Sequence, residues 1–264
     1  MTLREAPTAD TRARGASGDR PRLRWWREVA YVLAFYAVYS FVRNTGANSD
    51  SAGRAFEAAK DVIRVERTLG LYFEENLQDL FLDWSWFIRF WNIFYGSFHF
   101  VVTAGALVWC FAKRPERYPR WRNTLACTTG LALIGFALYP LMPPRLLPPG
   151  HGFVDTLAEV GGLWSFDSGT MKSISNQYAA MPSLHFGWST WSTLVLWPAT
   201  AGRPRWRALL ASYPLLTLFA IVVTANHFWL DAVGGALVLA AGYGVASLAP
   251  ATVERLRPAP RASR

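Results

Sequence analysis

Charged residues are absent from five long stretches of this 264-residue chain, and this absence restricts its possible folds more than any other feature. Each stretch has at least 22 residues; they are residues 90–112, 123–144, 173–202, 208–230 and 232–253. About 20 apolar residues in a helix cross the hydrocarbon core of a bilayer. A sixth run, residues 29–42, is shorter, but Trp25, Trp26 and Asn44 extend it with residues typical of a membrane interface. We therefore predict an all-α, polytopic membrane protein with six transmembrane helices.

The basic residues, which give the chain a net charge of +9, are concentrated in alternate connections between these stretches. Nineteen of the 27 lie within residues 4–27, 113–122, 203–207 and 255–264. In contrast, residues 43–83 carry five basic and eight acidic side chains. Basic connections face the cytoplasm, so both termini are predicted to be cytoplasmic and the acidic segments to face outward from a plasma membrane. Because this charge reports topology, we expect no nucleic-acid partner.

The chain is predicted to form one membrane domain, residues 25–250, between two cytoplasmic tails. The first tail, residues 1–24, is polar and Arg-rich, which indicates disorder, and it is longer than the basic region of an ordinary signal peptide. The second tail comprises residues 251–264. Cleavage after the first span is an alternative, since the small residues Thr45, Gly46 and Ala47 follow it. These features do not predict an oligomeric state.

Two outward-facing segments differ in their predicted structure. Between the first two spans, apolar residues recur at spacings of three and four, with charged residues among them; they are Ala55, Ala58, Val62, Val65, Leu69 and Tyr72. This spacing predicts an amphipathic helix at the outer membrane surface. Residues 143–182 are Pro-rich and lack periodicity but hold several apolar side chains, which indicates an ordered capping loop over a site.

Two short groups of polar residues lie at the predicted outer membrane surface. Pro182-Ser183-Leu184-His185 stands near the start of the fourth span, and His227 and Asp231 lie between the fifth and sixth. Ionisable residues in a membrane domain are costly unless paired, which makes them functional candidates. Four residues separate His227 from Asp231, so on a helix the carboxylate can accept a hydrogen bond from the imidazole. A histidine oriented in this way can act as a nucleophile toward phosphorus or as a general base.

These motifs, Pro182-Ser183-x-His185 followed by His227-x-x-x-Asp231 in a six-span chain, resemble the type 2 phosphatidic acid phosphatase superfamily. The details are closer to its inositol phosphorylceramide synthase branch, with weaker similarity upstream from Glu66 to Glu75. The resemblance implies that His227 attacks phosphorus to form a phosphohistidine and that Asp231 orients it. It also implies that His185 protonates the leaving oxygen, that Ser183 binds a phosphate oxygen, and that no metal or other cofactor takes part.

The chain departs from the pattern of the common phosphatases in its cations. That pattern has an Arg six residues before the nucleophilic His and a Lys-x6-Arg-Pro motif, whereas Ile221 and Leu138 occupy the corresponding Arg and Lys positions here. Arg145 is left as the candidate phosphate-binding cation, with Lys172 able to reach in from the loop. A phosphodiester carries one negative charge and a monoester nearly two, so this scarcity favours a diester. We therefore expect a lipid headgroup phosphotransferase, with a lipid or prenyl phosphate phosphatase as the alternative.

Several assignments have competing explanations. Asn92, Tyr95 and His99 share one face of the second span and are candidate substrate-cavity residues, but His99 is equally well explained as a packing residue. Arg145 has an alternative role as an interfacial anchor. A zinc site built from His185, His227 and Asp231 is a further alternative. From a different class, a six-span transporter whose histidines bind cargo is considered, although no internal repeat supports it.

Overall fold

The computed structural model describes residues 24–45, 51–162 and 177–255. These residues are all-α apart from one isolated bridge between Leu141 and Ala179. Both predicted tails, except for their residues 24 and 251–255, lie outside the described residues, as does Lys172. The capping loop is described at its two ends, up to residue 162 and from residue 177.

The described ranges contain nine α-helices. They are α1 Trp25–Thr45, α2 Ser51–Thr68, α3 Glu74–Leu82, α4 Ser85–Lys113, α5 Tyr118–Leu138, α6 Thr156–Glu159, α7 Leu184–Leu196, α8 Pro204–Val223 and α9 Trp229–Arg255. Short 3-10 helices occupy Pro144–Leu146, Pro149–His151 and Trp197–Thr200, the last of which continues α7.

Three helices in the described part of the chain are long and apolar enough to cross a membrane. These are α4, α8 and the segment Trp229–Leu248 of α9. The other three predicted spans also contain helices, but α7 has only 13 residues, and α5 carries Arg120 and Arg122 within its first turns. α1 likewise has Arg27 and Glu28 in its first turn. The fold class is thus confirmed as all-α, and three of the six spans are supported.

α2 is the predicted amphipathic helix, and part of its apolar stripe packs inside the protein. Ala55 and Val62 are buried, whereas Val65 is 45% exposed and Leu69, directly after the helix, is 56% exposed. The buried face also includes Glu66, which is fully buried. The apolar spacing does not indicate this residue, because it treats an acidic side chain as a surface residue.

α4 exposes apolar side chains. Besides several apolar residues, it buries the polar side chains of Asn92, His99 and Thr103, while large apolar side chains such as Val101 and Val108 are exposed. A helix that buries polar side chains and exposes apolar ones is suited to a lipid surround, because lipid places no penalty on exposed hydrocarbon. The polar face of α4 looks toward α7 and α8, on which this helix packs.

Close contact between α7 and α9 depends on a glycine. A Cβ atom added to Gly235 would clash with the carbonyl oxygen of Ser183, a backbone atom that has no freedom to move aside. Similarly, a Cβ atom on Gly242 would clash with Thr128 on α5. These two contacts let α9 approach both neighbouring helices closely, and the first of them sets the distance between the two sequence motifs.

Candidate active site

His227 and Asp231 form the predicted hydrogen bond. The Nδ1 of His227 lies 3.0 Å from Oδ2 of Asp231, and both side chains are buried. α9 begins at Trp229, so the prediction that both residues lie on a helix was wrong for His227, which precedes it. The carboxylate also accepts from the backbone N–H of Phe228 at 3.1 Å. Because the Nδ1 proton points to the carboxylate, Nε2 is the ring nitrogen left for chemistry.

The turn between α8 and α9 holds the His227 backbone in place. The N–H groups of Asn226 and His227 both donate to the carbonyl oxygen of Ile221, each at 3.0 Å. Ala225 in this turn has a φ of 52°, in the left-handed region that a non-glycine residue adopts only under constraint. Its carbonyl oxygen accepts from the N–H of Arg145 at 2.8 Å. The predicted phosphate-binding Arg is thereby joined to the segment that carries His227.

Ser183 joins the first motif to the second. It is the N-cap of α7, where its hydroxyl accepts from the N–H of Phe186 at 3.5 Å. Its own N–H donates to the carbonyl oxygen of Asp231 at 2.9 Å. The N-terminus of α7, which carries a partial positive charge, therefore lies beside the His227–Asp231 pair.

Three histidine rings from separate parts of the chain come together with one tyrosine ring. The ring centroid of His185 is 5.4 Å from that of His227 and 4.1 Å from that of His99. The ring of Tyr95 stacks on His185 at 4.2 Å and 22°. The Nδ1 of His99 lies 2.9 Å from the carbonyl oxygen of Tyr95, so this nitrogen carries the proton that it donates. His99 and Tyr95 are thus beside the paired motifs, as their helical spacing indicated.

Asn92 lies on the same face of α4, but its amide is bonded to the loop. Its Nδ2 donates to the carbonyl oxygens of Thr156 and Gly161 at 2.9 and 3.0 Å, and its Oδ1 accepts from the hydroxyl of Thr156 at 3.1 Å. Asn92 therefore anchors the end of α6, and it is not in the group of rings.

Arg145 forms an ion pair that the sequence did not predict. Its Nη1 lies 2.7 Å from Oδ2 of Asp155. The other oxygen of Asp155 accepts from the N–H groups of Leu157 and Ala158 and caps α6. The buried Nε of Arg145 has no hydrogen-bond partner among the described residues. An Asp before a short helix is a capping signal, but nothing in the sequence relates it to an Arg ten positions earlier.

Two further carboxylates bind the backbone directly after His227. Glu74 accepts from the N–H of Trp229 and Glu66 from the N–H of Leu230, each at 3.2 Å. Both acids are fully buried. Burial, followed by the negative charge of Glu74, raises the pKa of Glu66 to about 9, so Glu66 is protonated at neutral pH. In the sequence, both acids belong only to the weaker upstream resemblance, which implies no role for them.

No group of three or more His, Cys, Asp or Glu side chains in the described part of the chain is arranged to hold a metal ion. The zinc alternative therefore gains no support from the geometry.

A sequence model described as the PAP2 superfamily matches residues 60–245 of the chain. The matched segment contains both His motifs, Arg145 and the two buried acids behind His227. No curated protein and no solved structure gives a significant match.

Proposed function

The chain belongs to the PAP2 superfamily, and on that premise we propose that it is a membrane enzyme that transfers a phosphorylated group through a phosphohistidine intermediate. Proteins of this superfamily are generally phosphatases or phosphotransferases. The observation that carries the proposal is the 3.0 Å hydrogen bond between His227 and Asp231, with the ring of His185 5.4 Å from that of His227. We propose a lipid phosphoester as the substrate. The reason is that both motifs and the polar side chains of α4 are parts of a membrane protein.

In the first half of the reaction, Nε2 of His227 attacks the phosphorus atom. A nitrogen–phosphorus bond forms as the bond from phosphorus to the leaving oxygen breaks, and His185 gives its proton to that oxygen. Asp231 stabilises the positive charge that develops on the His227 ring. Ser183 and the N-terminus of α7 contribute partial positive charge near the phosphate oxygens.

In the second half, the phosphorylated group is transferred from His227 to an acceptor hydroxyl group. His185, now neutral, removes the proton from the acceptor, whose oxygen attacks phosphorus while the nitrogen–phosphorus bond breaks. One histidine must be neutral and the other protonated when the reaction starts, so a bell-shaped dependence of rate on pH is expected. The proposed mechanism uses no metal ion or other cofactor.

The charges near the rings favour a diester as the donor. The guanidinium of Arg145 already shares its charge with Asp155, at 2.7 Å. Ile221 is buried at the position where the common phosphatases have an Arg by the resemblance described above. A monoester, with nearly two negative charges, needs more preorganised positive charge than a diester with one. We therefore propose transfer of a headgroup from a phospholipid-type diester, in line with the inositol phosphorylceramide synthase-like branch.

The proposed membrane arrangement has six spans, with both termini in the cytoplasm and the histidines facing outward from the plasma membrane. The basic connections at residues 113–122 and 203–207 support this orientation. α4, α8 and α9 supply three spans by length and composition. The others are assigned to α1, α5 and the continuous segment formed by α7 and its 3-10 extension.

The test is a lipid extract incubated with the purified protein, with products identified by mass spectrometry. A headgroup transferred to a lipid or polyol acceptor is expected, and the activity is expected to survive a chelator. His227→Ala and His185→Ala should each lower the rate by about 10⁴-fold, because the groups that perform the chemistry are removed. His151→Ala is the matched control, since this histidine contacts Phe56 and lies outside the group of rings.

Three results would contradict parts of this proposal. Turnover retained by His227→Ala would overturn the nucleophile assignment. Loss of activity with a chelator, restored by zinc, would favour metal chemistry. Release of inorganic phosphate from a lipid monoester at a rate comparable to headgroup transfer would replace the transferase assignment with that of a phosphatase.

A further inference from the structure

Three consecutive backbone N–H groups at the start of α9 each donate to a different carboxylate. Phe228 donates to Asp231 at 3.1 Å, and the next two residues donate to Glu74 and Glu66 at 3.2 Å. All three carboxylates are fully buried. Every one of these N–H groups lies within three residues of His227, so their orientation determines where the His227 ring points.

The first N–H groups of a helix have no partner inside the helix and normally bond to water or to a nearby capping side chain. Here the partners come from 155 and 164 residues earlier in the chain, on α3 and α2. The indole N–H of Trp229 adds a third bond to the same region, donating to the carbonyl oxygen of Leu71 at 2.9 Å. The segment from α2 to α3 therefore binds the start of α9 through three hydrogen bonds.

We propose that Glu66 and Glu74 are positioning residues for the His227–Asp231 pair, because they bind the first N–H groups of α9 and hold the backbone that presents the histidine. The inference rests on the proposed function of His227. Neither acid touches the substrate; each acts through the peptide groups of Trp229 and Leu230. A displacement of about 1 Å at a reacting group can lower a rate by about 100-fold, so the orientation of this backbone matters for turnover.

The protonation of Glu66 lets two acids occupy one buried region. At neutral pH Glu66 carries a proton, because burial and the neighbouring Glu74 raise its pKa. As the pH rises through about 9, the pKa of Glu66, a negative charge appears on Glu66 beside Glu74 and Asp231. Repulsion among these carboxylates then weakens the hydrogen bonds that hold the start of α9. The charged and titratable groups around the pair are Glu74 and Glu75 on α3, Asp231 on α9, Arg67 on α2 and Tyr72 in the turn.

Glutamine substitutions separate a positioning role from a purely structural one. Glu66→Gln keeps the oxygen that accepts from Leu230, but it has no proton to lose. This variant should keep kcat within about 3-fold of the wild type at pH 7. Above about pH 9, where loss of the histidine proton already lowers kcat in both proteins, kcat of the wild type should fall more steeply than that of the variant. Glu66→Ala and Glu74→Ala should lower kcat by about 10- to 100-fold and change KM by less than about 3-fold.

The control is Asp79→Asn, an exposed acid on α3 whose loss should leave kcat and its pH profile unchanged. Alanine variants at Glu66 and Glu74 with wild-type kcat would overturn the inference, as would a Glu66→Gln profile that falls as steeply above pH 9 as that of the wild type. If the alanine variants do not accumulate in membranes, the Glu66→Gln profile alone decides. His227→Ala is measured in parallel: activity in that variant would overturn the proposed function, whereas wild-type behaviour of the Glu variants with an inactive His227→Ala would overturn this inference alone.

Discussion

α2 and α4 expose opposite kinds of side chain. α2 turns Ala55 and Ala59 inward and exposes ion pairs such as Arg64 with Asp61. α4 turns His99 inward together with several apolar side chains, and it exposes other apolar side chains along its length. Their difference indicates different surroundings, a water-facing surface at α2 and lipid at α4.

Each helix also buries one ionisable side chain, and both of these side chains lie at the candidate site. α2 buries Glu66, which binds the start of α9. α4 buries His99, whose ring lies against that of His185. Buried ionisable groups are costly unless they are paired, so these two side chains indicate a part of the fold where function outweighs stability.

The largest expected effect comes from placing the same charge on the two outer faces. Val101 on α4 is 69% exposed and lies near the middle of the helix, whereas Val65 is a half-exposed residue of α2. Val101→Lys should destabilise insertion by about 3 kcal/mol, the cost of a lysine at the centre of a membrane helix. Val65→Lys should change little, because its charge reaches water. The measurement is the fraction of chain that resists alkaline extraction from membranes; equal losses for both variants would refute the contrast between the helices.

A smaller loss is expected from the inner face of α4. Asn92→Leu removes the donor to the carbonyl oxygens of Thr156 and Gly161. The first still accepts from the N–H of Val160, whereas the partly buried carbonyl oxygen of Gly161 loses its partner. Such a group costs about 1–3 kcal/mol when its partner is lost, so we expect a loss of about 2 kcal/mol in the stability of the purified protein. Thermal unfolding in detergent measures it. Ser97→Ala on the same helix is the control, because its hydroxyl bonds only within α4; an equal shift there would remove the special role of Asn92.

The smallest effect is expected on the outer face of α2. Arg64 pairs with Asp61 at 2.8 Å, but both side chains are more than half exposed. Exposed pairs at this spacing contribute about 0.5 kcal/mol or less, so Arg64→Gln should leave the melting temperature within about 2 °C of the wild type. A large loss of stability measured by the same thermal unfolding would mean that α2 is not at a water-facing surface.

The membrane helices were the part of the fold most open to prediction. The charge-free stretches locate α4, α8 and α9 because a bilayer demands long uninterrupted runs of apolar residues. The face of α2 was only half predictable. An apolar pattern cannot show that a Glu will be buried, because the N–H group that binds Glu66 belongs to Leu230, 164 residues away.

The candidate site shows the same limit. The spacing of His227 and Asp231 predicted their hydrogen bond for two helical residues, and the bond forms although His227 precedes the helix, because the chain turns into α9 directly after it. The approach of His185 followed from the proposed topology, and the ring contact at 5.4 Å agrees with it. The ion pair of Arg145 with Asp155 could not be predicted. It depends on how the loop between the two residues folds, and their spacing in the sequence does not reveal this.

The contact between His99 and His185 has a consequence for the depth at which a substrate reacts. His99 lies 14 residues before the C-terminal end of α4, a distance of about 21 Å along a helix. The hydrocarbon core is about 30 Å thick. In the proposed topology, with Lys113 at the inner boundary, the rings lie about 9 Å below the outer boundary. A lipid reaches that level by a vertical displacement of its headgroup while its tails stay in the bilayer, whereas a water-soluble phosphate ester would have to pass down between the outer segments.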